Sequence, residues 1–471
     1  MSLFHTMLPE YIVVGFILVT LLGNMLASQR QVASWFSLIG MLSALVASWN
    51  LWSTALKPHM FLGGGIVIDN YSLFVNMLVL LAGLGTILLG WREERWGTEF
   101  PVLVMIAVLG MMILGLAGNT ITLFLGIEVL SLPLYILAAS THTAAGGEAG
   151  LKYLLLGAFS SGILLFGLAL LYGAMGSLTF VTFAKTVALP TSSLLWAGVV
   201  LSLVGILFKL AIVPFHMWVP DVYEGSPTAV TQLMAFGTKV GAAAILLRFI
   251  DFGFYASPVW WGPALGYLAV LTMIVGNLLA LPQTDLKRLL AYSGIGQAGF
   301  LLIGVATHNL DGARALLFYL LPYGLAVLGA FAVVALVAGD RDQVSVSDLK
   351  GLAKKRPVMS AFFIVVMLSF AGIPLTGGFV GKFYLLQSAL FANQPGLAIG
   401  LVLGTVLGLG AYLRPVQALF SSEEGDPVVP NWTVGGAVVL VVAVIGTIGL
   451  GVYPTPIVHM VNQSANFFWL H

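Results

Sequence analysis

Apolar stretches of about 20 residues, the length at which a helix crosses a bilayer core, recur along the chain from Leu8 to Val452. No other feature narrows the fold so far. Backbone amides and carbonyls left unpaired in lipid are costly, so a chain built of such stretches folds as a bundle of spanning helices. Only 8% of the 471 residues are charged, against roughly 25% in a soluble domain. The expectation is an all-α polytopic membrane protein with about 14 transmembrane helices, near 8–28, 33–52, 69–91, 100–117, 119–139, 149–175, 194–218, 227–250, 258–281, 286–306, 311–338, 357–392, 396–420 and 432–453.

The first stretch carries Glu10, has no preceding Lys or Arg, and lacks a small-residue cleavage pattern, so it reads as a span rather than a signal peptide. The absence of cysteine excludes disulfides and thiolate-held iron–sulfur clusters from this chain. The seven histidines are scattered, without haem or metal spacing, and no basic stripe suited to nucleic acid is present. Any electron transfer is expected in another polypeptide. Arg30, Arg92, Arg95, Lys287, Arg288, Arg341, Lys350, Lys354, Lys355 and Arg356 fall in loops on one side of the bundle. Lys57, Lys185, Arg248 and Arg314 fall on the other, so the first set is expected in the cytoplasm and both termini outside. The polar stretch from Asp340 to Arg356 is expected to hold a short surface helix over Val346 to Lys354.

Against this background a few charges stand where lipid is least tolerant. Lys152, Lys209, Lys239, Lys382, Arg414 and Glu128 lie inside expected spans, each costing about 2.5–3.5 kcal/mol at a helix centre. Arg414 is close enough to an end to extend toward water. The four lysines share one glutamate, so most of them lack an acid partner among the membrane residues. A lysine in such surroundings gains and loses a proton readily, which suits a proton relay.

Local sequence ties the lysines to helix breaks. In "GILFKLAIVPFHMWVPD", Pro214 clashes with the carbonyl of Leu210, so the helix is expected to stop one step past Lys209. In "SFAGIPLTGGFVGKFYLL", Pro374, Gly377 and Gly378 interrupt the helix before Lys382. Two broken spans with lysine, five helices apart, imply two five-helix repeats, spans 4–8 and 9–13. An odd number of helices inverts the second repeat, as in many secondary transporters, with the two lysines in pseudo-symmetric half-channels. The expected divisions are a three-helix segment (1–98), a first repeat (99–251), a second, inverted repeat (252–421), and a final helix and tail (422–471).

Glu128, in "FLGIEVLSLPLY", stands beside the carbonyl that Pro133 frees and is placed to act on a lysine by charge. Lys152 follows Glu148 by four residues, so it reads either as a relay or as one half of a helix-end pair. Lys239 has small neighbours that leave room for water. His216 is a proton carrier or a loop residue. The stretch "GIGQAG", Gly294 to Gly299, matches a dinucleotide pattern but follows no strand, and close helix packing explains it better.

The stretches "FKLAIVPFHMWVPDVYEGSPTAV", "FLGIEVLSLPLY", "DLKRLLAYSGIGQAGF" and "AGIPLTGGFVGKFY" closely resemble the subunit N family of bacterial NADH:quinone oxidoreductase, respiratory complex I. The likeness runs over essentially the whole chain. It implies a proton-translocating membrane subunit of a larger enzyme in the bacterial inner membrane, beside sister antiporter-like subunits and small helical ones. No cofactor is implied in this chain, with FMN, iron–sulfur clusters and quinone in partner subunits. Glu128 matches the family's helix-5 glutamate, Lys152 the helix-6 lysine, Lys209 the central helix-7 lysine, His216 the histidine past that break, Lys239 the helix-8 lysine and Lys382 the helix-12 lysine. Gly294 departs from the pattern, where many relatives carry a serine. The resemblance extends to Mrp-type cation/proton antiporters and to the equivalent subunits of membrane-bound hydrogenases and of ferredoxin-linked photosynthetic complexes of thylakoids.

Overall fold

A computed structural model of the protein describes residues 3–26, 30–55, 58–91, 96–141, 143–186, 192–254, 258–339, 341, 343–421 and 432–465. Lys57, Arg92 and Arg95, used above to orient the chain, lie outside these residues.

After a turn of helix α1 (Leu3–Thr6), three helices α2 (Leu8–Leu26), α3 (Arg30–Leu51) and α4 (Asn70–Leu89) form the amino-terminal group. A small hairpin of β1 (His59–Phe61) and β2 (Ile66–Ile68), with Met60 opposite Val67, connects α3 to α4. Next come α5 (Glu99–Leu116), α6 (Thr120–Ala138), α7 (Ala144–Met175), the short α8 (Phe180–Thr186), α9 (Ser193–Leu210), the short α10 (Val219–Gly225) and α11 (Thr228–Leu247). The remainder comprises α12 (Pro258–Ala280), α13 (Leu286–Ala306), α14 (Leu310–Ala338), α15 (Leu352–Lys355), α16 (Pro357–Ala371), α17 (Gly377–Phe391), α18 (Pro395–Leu419), α19 (Val434–Val452) and α20 (Thr455–Ala465). Among the described residues 13 helices are long and apolar enough to cross a membrane, and α16 is a shorter apolar helix. With α16 and α17 taken as one interrupted span, the all-α polytopic expectation holds. The surface helix expected over Val346 to Lys354 is a 3₁₀ turn, Val346–Leu349, followed by α15.

Side chains fix where the helices start. Asp69, Asn119, Thr143, Ser192, Asp285, Asn309 and Thr433 each accept a backbone N–H from the first turn of the helix that follows, which pairs a donor that has no partner within the helix. The same stitches recur at one constant interval along the sequence. Thr120 N donates to Leu178 O and Phe180 N to Gly118 O, while Leu286 N donates to Val344 O and Val346 N to Thr284 O. Arg248 donates to Gly115 O, the carbonyl at the end of α5, and Arg414 to Leu281 O just past α12, at that same interval.

Packing sets the layers. Helix α11 is enclosed on all sides, α13 and α14 almost so, whereas α2 is only 28% buried. The glycines of "GIGQAG" serve close approach: a Cβ on Gly299 would stand 2.7 Å from the backbone nitrogen of Met273 on α12. That bears out the packing reading of this stretch.

Candidate functional site

The first break lies where the proline placed it. Helix α9 ends at Leu210, and Ala211 takes a left-handed conformation (φ 65°). Ala211 N then closes on Phe208 O and Ile212 N on Leu207 O at 3.0 Å. Phe208 O also accepts the indole N–H of Trp218, 3.1 Å away. The freed carbonyl of Leu210 accepts from Lys239 Nζ at 3.4 Å, and the same ammonium donates to Gly294 O on α13 at 2.8 Å. Lys239 projects from the enclosed α11 and thus spans the gap between the broken helix and α13.

Lys209 is 3% exposed and faces aromatic rings rather than an acid. Its Nζ is 3.5 Å from Tyr135 Oη and 5.0 Å from the centre of the Tyr153 ring, with the Phe208 ring beside it. Such faces hold an ammonium by their quadrupoles without removing its proton. Glu128, Ser131 and Tyr135 lie on one face of α6 by their spacing of three and four residues. Glu128 Oε1 is buried without a hydrogen-bond partner and makes no ion pair with Lys209, though it is near enough for its charge to be felt there. The pair is therefore not in hydrogen-bond contact, and it is Tyr135, about two helical turns further along α6, whose hydroxyl stands at Lys209.

The second break repeats the backbone device. Helix α16 ends at Ala371, Gly372 is left-handed (φ 76°), and Gly372 N and Ile373 N close on Ser369 O and Leu368 O. Leu375 is also left-handed (φ 72°), and Thr376 caps α17. Gly378 is required here, because a Cβ on it would fall 1.9 Å from Ser369 O. Lys382 follows this break, whereas Lys209 precedes the first one. Its Nζ donates to Phe370 O at 2.7 Å and lies over the Phe300 ring. Gln297 donates to the same carbonyl and to Tyr412 Oη, Tyr319 donates to Gln297 Oε1, and Ser293 pairs with Tyr412 at 2.8 Å.

These contacts form two groups, Tyr135 with Lys209 at the first break, and Lys239, Leu210 O and Gly294 O followed on the same helix α13 by Ser293 and Gln297, which lead through Tyr412 and Phe370 O to Lys382. Lys209, Lys239 and Lys382 have no carboxylate partner among the described residues, as the count of lysines against acids anticipates. Lys152 differs. It is half exposed, pairs with Glu148 at 2.7 Å and Asp221 at 2.8 Å, and belongs to a surface cluster in which Arg288 joins Asp221 to Glu224. Burial works against the Asp221 carboxylate, but hydrogen bonds from Lys152 and Arg288 hold it below the usual carboxylate range. His216 sits half-buried in the turn between α9 and α10 and is not brought to Lys209. Arg414 extends to Leu281 O and Gln283 O at the end of α12, matching its reading as a helix-end residue.

Sequence reasoning missed the uncharged members, Ser293, Gln297, Tyr319 and Tyr412, because hydropathy does not separate a tyrosine on a relay from one in a core. It also missed a fully buried ion pair, Arg248 with Asp69 at 2.7 Å, and the buried Glu10, which accepts from Asn76. Lys287, read as a loop residue, is 1% exposed and donates to Ser226 O.

Residues 117–408 match the family described as NADH:quinone oxidoreductase/Mrp antiporter, TM. The chain is 38% identical to NADH-quinone oxidoreductase subunit N of Desulforamulus reducens over 94% of its own length and 93% of that protein's. It is also 38% identical to the subunit N of Trichlorobacter lovleyi, over 98% and 96%. Among solved structures, a chain of respiratory complex I from Thermus thermophilus with bound aureothin superposes with a TM-score of 0.84 at 36% identity, covering 96% of this chain and 98% of that one. A chain of the Mrp complex from Dietzia sp. reaches a TM-score of 0.90 at 21% identity, a likeness of fold alone.

Proposed function

From the premise that the chain belongs to the NADH:quinone oxidoreductase/Mrp antiporter family of membrane proteins, we propose that it is the N-type, proton-translocating membrane subunit of an NADH:quinone oxidoreductase. Relatives of that name share 38% of their residues with it over nearly their full length, whereas the Mrp chain shares 21%. In this reading the redox groups, FMN and iron–sulfur clusters, belong to partner subunits together with the quinone, and this chain moves protons only. It is a multi-pass subunit of a bacterial inner-membrane complex beside sister antiporter-like subunits, with both termini outside and the divisions 1–98, 99–251, 252–421 and 422–471.

The observation that carries the proposal is three buried lysines without a carboxylate partner among the described residues, of which Lys239 bonds the Leu210 carbonyl of the first broken helix and Lys382 the Phe370 carbonyl of the second. A proton on Lys209 is stabilised by ring faces and by the charge of Glu128. When that charge is withdrawn or neutralised the proton is released toward Lys239, and the Leu210 carbonyl steers it. Lys239 passes it past Gly294 into the Ser293, Gln297 and Tyr412 network, and Lys382 receives it at the second break. Lys152 and its acid partners bring protons from the surface, and His216 serves the turn between α9 and α10. Moving one charge against 100 mV takes about 2.3 kcal/mol, and a pKa change of one unit corresponds to about 1.36 kcal/mol, so a rearrangement of one carboxylate and one lysine is of sufficient size.

The test is NADH-driven pumping in sealed vesicles carrying the whole complex. Lys209→Ala is expected to move fewer protons per electron, or to lose pumping and oxidation together in fully assembled enzyme, with Lys209→Arg retaining part of the activity. Normal values of both in Lys209→Ala sink the proposal.

A further inference from the structure

The chain passes from the first break into α10 at Trp218, and this one residue is tied to both sides. Its backbone carbonyl accepts Val222 N at 3.1 Å, opening α10, while its indole N–H donates to Phe208 O in the last turn of α9 at 3.1 Å. Trp218 is 2% exposed, and an indole N–H so buried needs a partner of this kind. Carbonyls in the last turn of a helix are where one is to be had.

The ring makes a second set of ties. It lies parallel to the Tyr153 ring on α7, with planes 9° apart and centres 4.6 Å apart, and stacks on Phe208 at 5.4 Å. Lys209 Nζ stands 5.0 Å from the centre of the Tyr153 ring, 5.2 Å from that of Tyr135 and 5.6 Å from that of Phe208. Two of the three rings offered to the ammonium thus rest on Trp218. The third, Tyr135, meets Tyr153 edge-on at 4.8 Å, so its place too depends on Tyr153. A cation is held over the face of a ring, and the tilt of these rings therefore sets how well a proton on Lys209 is kept. Helix α10 is itself fixed on α7: Asp221 pairs with Lys152, the neighbour of Tyr153, at 2.8 Å, and a Cβ on Gly225 would stand 2.6 Å from Ala145 O.

We propose that Trp218 is a positioning residue for proton transfer at Lys209. It holds Tyr153 and Phe208 with their faces toward the ammonium and pins the end of α9 through Phe208 O. The role rests on the reading of Lys209 as a proton-carrying group. An apolar side chain of similar volume could fill the same space, but it would supply neither the flat face on which Tyr153 stacks nor the N–H that Phe208 O accepts.

The experiment measures NADH-driven pumping per assembled complex, in sealed vesicles carrying the intact enzyme, for Trp218→Phe, Trp218→Leu and Tyr153→Leu. Trp218→Phe keeps a ring for the stack and gives up the N–H, whereas Trp218→Leu gives up both. Pumping per complex should fall about two- to threefold in the first and about tenfold in the second, the range that one neutral hydrogen bond and one aromatic stack span. The losses of Trp218→Leu and Tyr153→Leu should not multiply in the double variant, because both break the same stack. Should Trp218→Leu fail to assemble, Trp218→Phe decides alone, and unchanged pumping per complex overturns the proposal. Fewer complexes that each pump normally would make Trp218 a packing residue and overturn it, as would losses that multiply. A damaged Lys209→Ala complex beside a normal Trp218→Leu complex overturns this role alone; normal pumping in both overturns the reading of Lys209 as well.

Discussion

The two helix breaks share a backbone and differ in their chemistry. Each ends in a left-handed residue, Ala211 or Gly372, whose N–H and that of the next residue close on the last turn. Two residues earlier stands Lys209 in the first break and Phe370 in the second. The first break thus carries its own ammonium, caged by Tyr135 and Tyr153 with a carboxylate in range, and borrows Lys239 to bond its freed carbonyl. The second offers only a carbonyl, which Lys382 holds at 2.7 Å amid neutral Ser, Gln and Tyr groups. A repeated fold can thus be divided by side chains into a place where a proton's affinity is switched and a place where it is passed on.

The largest effects should come from removing either lysine. Lys209→Ala and Lys382→Ala should each cut NADH-driven pumping by about a hundredfold or more, the range lost when a proton-transferring group is removed. Because the two act in series, the double variant should be no worse than the more damaged single one. Pumping losses that multiply in assembled complex would break the serial account.

Glu128→Gln sharpens the comparison, since among the described residues an acid with a buried oxygen, Glu128, is found on the helix facing the first break, while the second break is bonded by Lys382 and neutral groups. A loss of several-fold to about tenfold is expected, at most about 1.4 kcal/mol of barrier. Ser293→Ala removes one neutral hydrogen bond, to Tyr412, in the second break and should cost less, because such a bond is worth about 0.5–1.5 kcal/mol. A Ser293→Ala complex more damaged than Glu128→Gln would reverse the assigned roles. Smaller still is Gly294→Ser. A Cβ there would lie 3.7 Å from Lys239 Cε and 3.6 Å from Tyr323 Oη, ordinary contacts, so pumping should stay within about twofold, as fits a hydroxyl added where space exists. A large loss would show that Lys239 tolerates no rival for the Gly294 carbonyl.

The least effect concerns the surface cluster. Asp221 is held below its ordinary value in the folded protein, so its contribution to stability is present above the usual aspartate range and is lost as pH falls through the folded value. Melting curves of the complex should therefore show a small difference between the unaltered chain and Asp221→Asn at neutral pH that closes on acidification. A difference that grows at low pH would contradict the assignment.

Much of this was legible in the sequence, for identifiable reasons. A proline clash acts over four residues, so the end of α9 at Leu210 could be placed to the residue. Charge is costly in lipid, so Lys209, Lys239 and Lys382 stood out from their surroundings. Partners were not legible, because the bond from Lys239 to Leu210 O joins α11 to α9 across a gap in sequence that only packing closes. Lys152 makes the pair with Glu148 that its spacing offered, and its second acid, Asp221, was not legible because α7 begins at Ala144 rather than Ala149 and leaves its first turns at the surface among acids. Arg248 and Asp69 misled, since both sit at helix ends that the bundle covers completely. The hairpin before α4 and the short α20 were likewise unseen, being too brief for a periodic pattern to emerge.

The most direct test of the central claim, a single proton line through both breaks, falls on its one bridging residue. The proton-to-electron ratio of NADH-driven pumping should be measured in sealed vesicles for Lys239→Ala against the unaltered complex, with assembly verified. The account predicts a lowered ratio, or joint loss of pumping and oxidation, although both breaks keep their own residues. A normal ratio at a normal rate would mean that protons do not pass through Lys239, and the line from Lys209 to Lys382 would have to be abandoned.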